Sequence, residues 1–517
     1  MAQTDYVIVG AGSAGCALAA RLTEDPSVRV TVVEAGGPDD LETIHIPAAW
    51  PALWGTEVDW AYETTPQPGS SGQVHQWPRG RVLGGSSSLN GMVYIRANPR
   101  DWDAWAFEGC AGWDHESLLP VMKRMEDVPD GDPRFRGVGG PIEPRPAADP
   151  NPISIAFVEA AREQGHPVTD DFNGERFEGA GFHDLLIKDG RRTSAADTYL
   201  HPAAGRPNLQ IVTHAHVAHV LLAGDRCIGV EYVQDGEVRR LRAEREVILC
   251  AGAIDSPAIL LRSGIGPAPE LGDLGIEPVV DLPGVGRNLH DHLLMGVLWE
   301  AKQPIPAPGY NLAESSMFLR SDPAQAVPDL HLMFIHVPFH LPSYQVPEGS
   351  WTIAVGLVRP ASRGTVRLRS ADLRDKPLID PAYLSQEADV QAMVRGTRLA
   401  RTLASASAFD PWRGPEALPG EAVQSDAEIE DFVRHAAGTY YHPVGTCHMG
   451  VGPDAVVDPS LCVRGVTGLR VADASIMPSI VSANTNTAAM IIGEKAADLV
   501  RAAAPTPVSA GHPVVGA

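Results

Sequence analysis

The glycine pattern near the start of the chain constrains the fold most. Gly10, Gly12 and Gly15 form GxGxxG directly after an apolar, strand-like run, YVIVG, and open an Ala-rich, helix-like run, SAGCALAARLTED. Glycines permit a tight turn and let backbone amides approach a pyrophosphate, whose charge is stabilised by a helix N-terminus. Glu34 ends the next apolar run, 24 residues after Gly10, where a carboxylate can accept hydrogen bonds from an adenosine ribose. This order predicts a dinucleotide-binding βαβ unit and does not separate NAD from FAD.

The apolar runs farther along the chain predict an α/β protein of two domains. Continuous runs such as VRVTVVEAGG and REVILCAG are typical of a parallel sheet buried on both faces, and they predict a Rossmann-like domain of parallel strands and helices. The runs DLHLMFIH, WTIAVGLV and GTVRLRS, followed by the helix-like ADVQAMVRGTRLARTLAS, predict an α+β substrate domain with an antiparallel sheet. The predicted limits are 1–155, 190–294 and 432–505 for the first domain, 156–189 and 295–431 for the second, and 506–517 for a flexible tail.

Composition excludes several classes of function. The 517 residues carry 41 Lys and Arg against 64 Asp and Glu, and the net charge of -23 repels nucleic acid and anionic membranes. No apolar run approaches the roughly 18 residues of a membrane-spanning helix, and no signal peptide precedes the first strand. The six cysteines lack the spacing of a disulfide framework or a zinc site. We therefore expect a cytoplasmic enzyme with no nucleic-acid or membrane partner, whose oligomeric state the sequence does not indicate.

Two further segments carry residues suited to chemistry. In GRVLGGSSSLNG, consecutive glycines lie between apolar flanks, which favours a close approach of backbone to a flat ligand over a flexible linker. YHPVGTCHMG places His442 between a tyrosine and a proline, and VSANTNT supplies Asn484 and Asn486 just before the last helix-like run. A lone histidine is more often structural than catalytic. His442 and His448 have no carboxylate or cysteine partner at ligand spacing, so we expect no metal.

Taken together, the motifs resemble the glucose-methanol-choline (GMC) oxidoreductase family. They are strand-GxGxxG, GRVLGGSSSLNG, GAIDSPAILLRSGIG, NLHDH, YHPVGTCHMG and DASIMPSIVSANTN, in this order, and they span most of the chain. The resemblance implies an FAD-binding domain assembled from three separate stretches and a substrate domain over the flavin face. It also implies that His442 is the catalytic base and that Asn484 fills the second catalytic position. Relatives similar to choline and hydroxymethylfurfural oxidases share this His/Asn pair, whereas glucose-oxidase-like members carry two histidines.

The same resemblance implies a set of FAD contacts. Their expected places are Glu34 at the adenosine ribose, Val217 at adenine, Asn90 near the flavin ring, and Asp473 and Ala474 near the pyrophosphate and ribityl chain. The full expected set is Gly10, Gly12, Ser13, Ala14, Gly15, Glu34, Ala35, Arg81, Gly84, Gly85, Ser86, Asn90, Gly91, Met92, Val93, Val217, Ala251, Gly252, Asp473, Ala474, Asn484, Thr485 and Asn486. Some choline oxidases attach FAD through a histidine at the position of Leu89, so we expect non-covalent FAD here.

The expected reaction is the oxidation of a primary alcohol to an aldehyde. His442 would take the hydroxyl proton, Asn484 would hydrogen-bond the substrate oxygen, and flavin N5 would receive the hydride. Three other functions stay open: a hydroxynitrile-type lyase on the same scaffold with non-redox FAD, an NAD-dependent dehydrogenase, and a catalytically silent flavoprotein. The electron acceptor, oxygen or another, also stays open.

The substrate contacts are less constrained by the sequence. Glu314, in NLAESSMF, resembles a glutamate that meets the trimethylammonium group in choline oxidases, although an acidic residue before a strand is usually solvated. Tyr441 would add a cation–π face. Phe334, with His336 and Phe339, is expected to line the same cavity. Aromatic, aliphatic and amino alcohols all remain candidate substrates.

Overall fold

The computed structural model describes residues 4–503. Its N-terminal part is the predicted βαβ unit. It consists of strand Thr4–Val9, helix Ser13–Leu22 and strand Val30–Val33. Every residue of both strands is buried, as expected for a parallel sheet that is covered on both faces. The helix packs against the C-terminal helix Thr485–Ala502. The expected tail at 506–517 lies outside the described residues.

The first sheet is mixed. Its strand order is Leu209–Val212, Val30–Val33, Thr4–Val9, Glu237–Leu249, Arg226–Gln234 and Ala215–Ala223, with Leu469–Val471 also paired to Glu237–Leu249. The strands around Thr4–Val9 pair in parallel, whereas the last three in this order form an antiparallel meander. Because parallel strands end at one edge, Gly10, Glu34 and Asp473 follow their strands at the same edge, where α/β proteins bind ligands.

The second sheet is antiparallel, as predicted. Its strand order is Arg413–Leu418, Leu293–Ala301, Ser350–Leu357, Leu330–Ile335, Ser315–Leu319 and Gly179–Phe182, with Gly438–Thr439 also paired to Leu293–Ala301. Helices Pro152–Glu163, Glu387–Ala404 and Asp426–Ala436 bury their apolar faces in one hydrophobic core with this sheet. The predicted fold class, a Rossmann-like domain plus an α+β domain, is confirmed.

The Pro-, Gly- and Trp-rich stretch between residues 38 and 150 contains more regular structure than its composition indicates. Helices Pro99–Phe107 and His115–Met125 lie within it, and Trp102, Trp105 and Leu118 join the core of the first sheet. Asparagine and aspartate caps start these two helices. The remaining α-helices are Glu42–His45, His201–Ala203, Gly252–Arg262 and Ala268–Asp273.

Two large hydrophobic cores accompany the two sheets. The domain limits given above stay a proposal. The short strand Gly438–Thr439 belongs to the second sheet although it falls in the stretch proposed for the first domain. Within residues 4–503, none of the helices combines the length and the apolar character needed to cross a membrane.

Candidate active site

A long cavity is lined by residues from both sheets and contains most of the expected cofactor contacts. The expected contacts in its lining are Gly10, Gly12, Ser13, Ala14, Glu34, Ala35, Gly85, Ser86, Asn90, Gly91, Met92, Val93, Val217, Ala251, Gly252, Asp473, Ala474, Asn484, Thr485 and Asn486. Gly15, Arg81 and Gly84 are not in the lining. The guanidinium of Arg81 instead lies 4.9 Å from the ring centroid of Trp60, which does line the cavity.

The first glycine turn makes room for a ligand at the start of helix Ser13–Leu22. Gly10 has a φ of +100°, and a Cβ there would lie 2.5 Å from the carbonyl oxygen of Cys250. A Cβ on Gly12 would be 4.0 Å from its nearest protein neighbour, the Cα of Gly85. Gly10 is therefore required for close packing of the turn against Cys250. Gly12 leaves the cavity side of the helix N-terminus open, and the backbone N–H groups there favour binding of an anion.

Glu34 is buried beside this turn. Its Oε2 accepts a hydrogen bond from the Ala11 backbone N–H at 2.8 Å, and its Oε1 accepts one from the Gly36 N–H, also at 2.8 Å. Burial raises the pKa of the carboxyl to about 7 despite these bonds. The carboxyl oxygens keep further lone pairs, which can accept from hydroxyl groups in the cavity.

The GGSSS segment packs on the first glycine turn. A Cβ on Gly85 would lie 2.7 Å from the Cα of Gly12, so this close approach of backbone joins two protein segments. The 3₁₀ helix Gly85–Ser88 follows, and Leu89 then lines the cavity. The Asn90 side chain accepts from the Met92 backbone N–H at 2.9 Å, which holds the following residues along the cavity wall.

Asp473 connects two other parts of the wall. Its Oδ2 accepts from the Gly252 N–H at 2.8 Å and from the Ser256 hydroxyl at 2.6 Å, while its Oδ1 accepts from the Ser475 N–H at 2.8 Å. The carboxylate therefore fixes the start of helix Gly252–Arg262 against the segment after strand Leu469–Val471.

The polar atoms of this cavity suit the expected cofactor, FAD. Ser13 Oγ donates to Asn486 Oδ1 at 2.6 Å, which directs the Asn486 amide into the lining. Among the described residues, the buried atoms Asn486 Nδ2 and Asn484 Oδ1 have no hydrogen-bond partner. Buried polar groups are normally paired. Asn486 Nδ2 can therefore donate to a polar ligand, and Asn484 Oδ1 can accept from one, close to the open helix N-terminus. The lining of the cavity thus fits FAD.

His442 and Asn484 meet at the far end of the cavity. Asn484 Nδ2 lies 3.3 Å from His442 Nε2, and both residues are in the lining. Burial lowers the pKa of His442 well below its usual value, and the neighbouring His292, Arg79 and His331 lower it further, because a proton on His442 would be repelled by any positive charge on these groups. The imidazole is therefore neutral at pH 7, the state that a proton acceptor requires.

A group of buried side chains holds the backbone that carries His442. Asp291 accepts from the His442 backbone N–H at 2.6 Å and from the Thr439 hydroxyl at 2.5 Å. Tyr441 has a φ of +65°, which is uncommon for a bulky residue, and Arg79 Nη2 donates to its carbonyl at 2.6 Å. The Tyr441 N–H donates to Thr439 Oγ1 at 2.7 Å. This local strain is maintained by several buried bonds, which is typical of functional sites.

Two more residues at this end were not assigned a role by sequence reasoning. The ring of Tyr440 stacks on His442 with centroids 4.6 Å apart, and its hydroxyl lies 3.0 Å from His331 Nδ1. His292 Nδ1 lies 2.9 Å from His442 Nδ1. His292 belongs to the NLHDH motif. That motif was the only feature of the sequence that could have indicated a role for His292 beside His442.

The wall around His442 is mainly apolar and aromatic. Its other residues are Trp50, Trp54, Leu294, Asn311, Ala313, Met333, Ile335, Phe339, Tyr440 and Tyr441. The ring centroids of Trp50 and Trp54 are 5.1 Å apart, and those of Trp54 and Tyr441 are 4.9 Å apart. Tyr441 and Phe339 thus lie where substrate contacts were expected, and among the described lining residues at this end there is no carboxylate.

Phe334, His336 and Glu314 lie outside the lining. Successive strand residues face opposite sides of a sheet, so Met333 and Ile335 face the cavity, whereas Phe334 packs in the core of the second sheet. His336 Nε2 is 2.7 Å from the Ser154 hydroxyl. Met333 and Ile335 therefore line the cavity, and Phe334 and His336 do not.

Glu314 is fully buried, which overturns the expectation that it could be a solvated residue before a strand. Its Oε2 accepts from the Asn151 N–H at 2.7 Å, at the start of helix Pro152–Glu163. Its Oε1 has no hydrogen-bond partner among the described residues. Burial raises the pKa of this carboxyl. Glu314 directly follows Ala313, which lines the cavity.

Within residues 4–503, one group of side chains has ligand atoms close enough together to hold a metal. It consists of Asp39, Asp197 and His201 and includes neither His442 nor His448. His201 Nε2 lies 3.0 Å from both Asp39 carboxylate oxygens, and the ion pair raises the pKa of His201. An ion pair accounts for this group without a metal.

Comparisons with known proteins agree with the geometry. Two family models described as "GMC oxidoreductase" match the chain. The model of the N-terminal part matches residues 4–294, and the model of the C-terminal part matches residues 360–493. The chain is 43% identical to the mitochondrial choline dehydrogenase of Homo sapiens over 96% of this chain and 90% of that protein. It is 42% identical to the oxygen-dependent choline dehydrogenase of Brucella anthropi over 96% and 95%.

A solved structure extends the comparison to three dimensions. Pyridoxine 4-oxidase from Mesorbium loti superposes with a TM-score of 0.94 at 39% identity, over 96% of this chain and 99% of that one. Because the superposition covers nearly the whole chain, it includes both sheets and the residues that line the cavity. On this evidence, the chain belongs to the GMC oxidoreductase family, whose members use FAD and act on CH–OH donors.

Proposed function

We propose that this protein oxidises a primary alcohol to an aldehyde, with His442 as the general base and Asn484 as a hydrogen-bond donor to the substrate oxygen. The observation that carries the proposal is the 3.3 Å separation of His442 Nε2 and Asn484 Nδ2 inside one cavity. A neutral imidazole and an amide N–H this close together can both hydrogen-bond to one alcohol oxygen that lies beside the pair.

His442, Asn484 and the apolar wall have different roles in the proposed reaction. A free alkoxide is costly to form, so the hydroxyl proton must leave as Nε2 of His442 accepts it. Asn484 donates to the same oxygen and limits its movement. When bound, FAD supplies the acceptor for the hydride. The apolar wall formed by Met333, Ile335 and Phe339 excludes water, which strengthens both hydrogen bonds.

FAD is proposed to bind without a covalent link. Leu89 lines the cavity at the position where some relatives carry the attaching histidine, and its side chain has no atom that could form the bond. Acid precipitation of the holoenzyme is expected to release the yellow colour into the supernatant. Colour that stays in the pellet would contradict this prediction.

For the substrate we propose an alcohol with a quaternary ammonium group, choline first. Trp50, Trp54 and Tyr441 form a contiguous aromatic wall, and aromatic faces attract such cations. The curated relatives described above are choline dehydrogenases. The test compares choline with 3,3-dimethylbutan-1-ol, its neutral isostere, by the rate of flavin bleaching without oxygen. A clear preference for choline supports the proposal, and an equal rate argues against it.

A neutral aromatic alcohol is the second candidate. It is favoured by the absence of a carboxylate among the described residues that line the wall near His442, and by the overall similarity to pyridoxine 4-oxidase. Faster bleaching by a benzyl alcohol than by choline would select it. Admitting air after bleaching then identifies the electron acceptor, since rapid return of the colour indicates an oxidase. A yellow protein that no alcohol bleaches would indicate a lyase or a silent flavoprotein.

A further inference from the structure

We propose that His292 is a positioning residue that fixes the tautomer of His442, so that Nε2 of His442 carries the lone pair that accepts the substrate proton. This inference rests on the proposed role of His442 as the base. His292 is fully buried, and its Nδ1 lies 2.9 Å from Nδ1 of His442. At this distance two neutral imidazoles must share one proton between these atoms, so one ring donates and the other accepts.

The direction of this hydrogen bond follows from the far side of His442. Its Nε2 lies 3.3 Å from the amide nitrogen of Asn484, which can only donate. Nε2 of His442 therefore carries a lone pair, and the ring proton is on Nδ1. It follows that Nδ1–H of His442 donates to Nδ1 of His292.

The surroundings of His292 are compatible with this direction. If Nδ1 of His292 accepts, its proton must be on Nε2. Nε2 has no hydrogen bond of normal geometry among the described residues, but the His292 ring lies near the backbone acceptors of Val481 and Val358. Carbonyl oxygens accept and do not donate, so they can stabilise the proton that the neutral His292 ring carries.

His292 is suited to act as a neutral acceptor throughout the working pH range. Burial lowers its pKa to about 3. When His442 takes the substrate proton it becomes a cation, and its Nδ1–H bond to a neutral acceptor then becomes charge-assisted. The bond therefore strengthens as the transition state forms, which is the condition for a catalytic gain.

Other groups around His442 do not provide this function. Tyr440 stacks on the face of the ring and does not bond its nitrogens. Asp291 accepts from the backbone N–H of His442. Arg79 donates to the Tyr441 carbonyl, and His331 is bonded to the Tyr440 hydroxyl rather than to the His442 ring. Among the described residues, His292 is the only partner of the His442 Nδ1 atom.

The test compares substitutions that keep or remove the acceptor. His292→Leu removes it and is expected to slow flavin reduction by on the order of 10²-fold with FAD content unchanged. His292→Asn keeps an acceptor near the Nδ1 position and is expected to restore the rate to within about tenfold of wild type. His292→Asp places a carboxylate beside the imidazole and is expected to raise the kinetic pKa of the base by roughly one unit or more.

Two controls separate the possible failures. In a His442→Ala background, His292→Leu should cause no further loss, because residues that act as a unit are not additive. His75→Leu removes another buried imidazole, bonded to Ser70, and should leave the rate within about threefold. A near wild-type rate for His442→Ala overturns the proposed base. A near wild-type rate for His292→Leu, with His442→Ala inactive, overturns this inference alone.

Discussion

The two ends of the cavity are built in different ways. At the cofactor end, the wall is backbone: a glycine turn, the open N-terminus of helix Ser13–Leu22, and residues just after parallel strands. At the reaction end, the wall is made of side chains that reach His442 from several distant segments. Backbone geometry leaves a short local pattern in the sequence, whereas convergent side chains do not. The difference predicts that the two ends fail separately when altered.

The largest expected effect is at the reaction end. His442→Ala should slow flavin reduction by roughly 10²- to 10⁴-fold, the range of a positioned proton transfer. FAD content should barely change, because the hydrogen bonds that hold the glycine turn and Asp473 do not involve the His442 side chain. Anaerobic stopped-flow with the best substrate measures the rate, and absorbance measures the FAD. A fully loaded variant that reduces FAD at nearly the normal rate would show that another group takes the proton.

The same variant has a pH signature. Because burial lowers the pKa of His442 below its usual value of about 6.5, the wild-type rate should rise with pH only in the acidic range and be level at neutral pH. The rise corresponds to loss of the imidazole proton, which frees Nε2 as an acceptor. In His442→Ala this limb should vanish. A pH series of reduction rates for both proteins tests it, and an unchanged acidic limb would assign it to a different group.

A smaller effect is expected at the cofactor end. A methyl group on Gly12 would meet no protein atom closer than 4.0 Å, so Gly12→Ala should fold normally. It would nevertheless occupy the space where the backbone approaches the FAD pyrophosphate, and the affinity for FAD should fall at least about tenfold, or 1.4 kcal/mol.

Titration of the apoprotein with FAD measures this, with circular dichroism to monitor the fold. Gly272→Ala is a matched control, since Gly272 lies in helix Ala268–Asp273 with open space around it. Unchanged affinity in Gly12→Ala would mean that the cofactor does not approach this turn.

The cofactor end was largely predictable from sequence because each of its parts is local. GxGxxG, the strand before it and Glu34 all lie within 34 residues, and the observed strands and helix match the prediction. The close packing of Gly85 on Gly12 was not predictable, since it joins two segments far apart in the chain.

The reaction end was predictable only in part. Resemblance supplied His442 and Asn484, which the structure brings together. It gave no role to His292 or Asp291, because their contacts with His442 span about 150 residues. Phe334 was expected to line the cavity, but the alternation of side chains along its strand directs it into the core of the second sheet. Which face of a central strand meets the ligand is decided by the packing of both sheets.

The smallest expected effect concerns Glu314, behind the aromatic wall. If the substrate is a cation, a buried carboxylate next to the lining residue Ala313 attracts it through a medium of low dielectric. Glu314→Gln keeps the shape and the acceptor for the Asn151 N–H but removes the charge. The preference for choline over 3,3-dimethylbutan-1-ol should then fall by on the order of 1 kcal/mol, about fivefold. Glu116→Gln, at an exposed helix position, controls for net charge. If the preference is unchanged and the variant has normal stability, Glu314 only holds the start of helix Pro152–Glu163. The selection of choline over its neutral isostere would then be due to the aromatic wall.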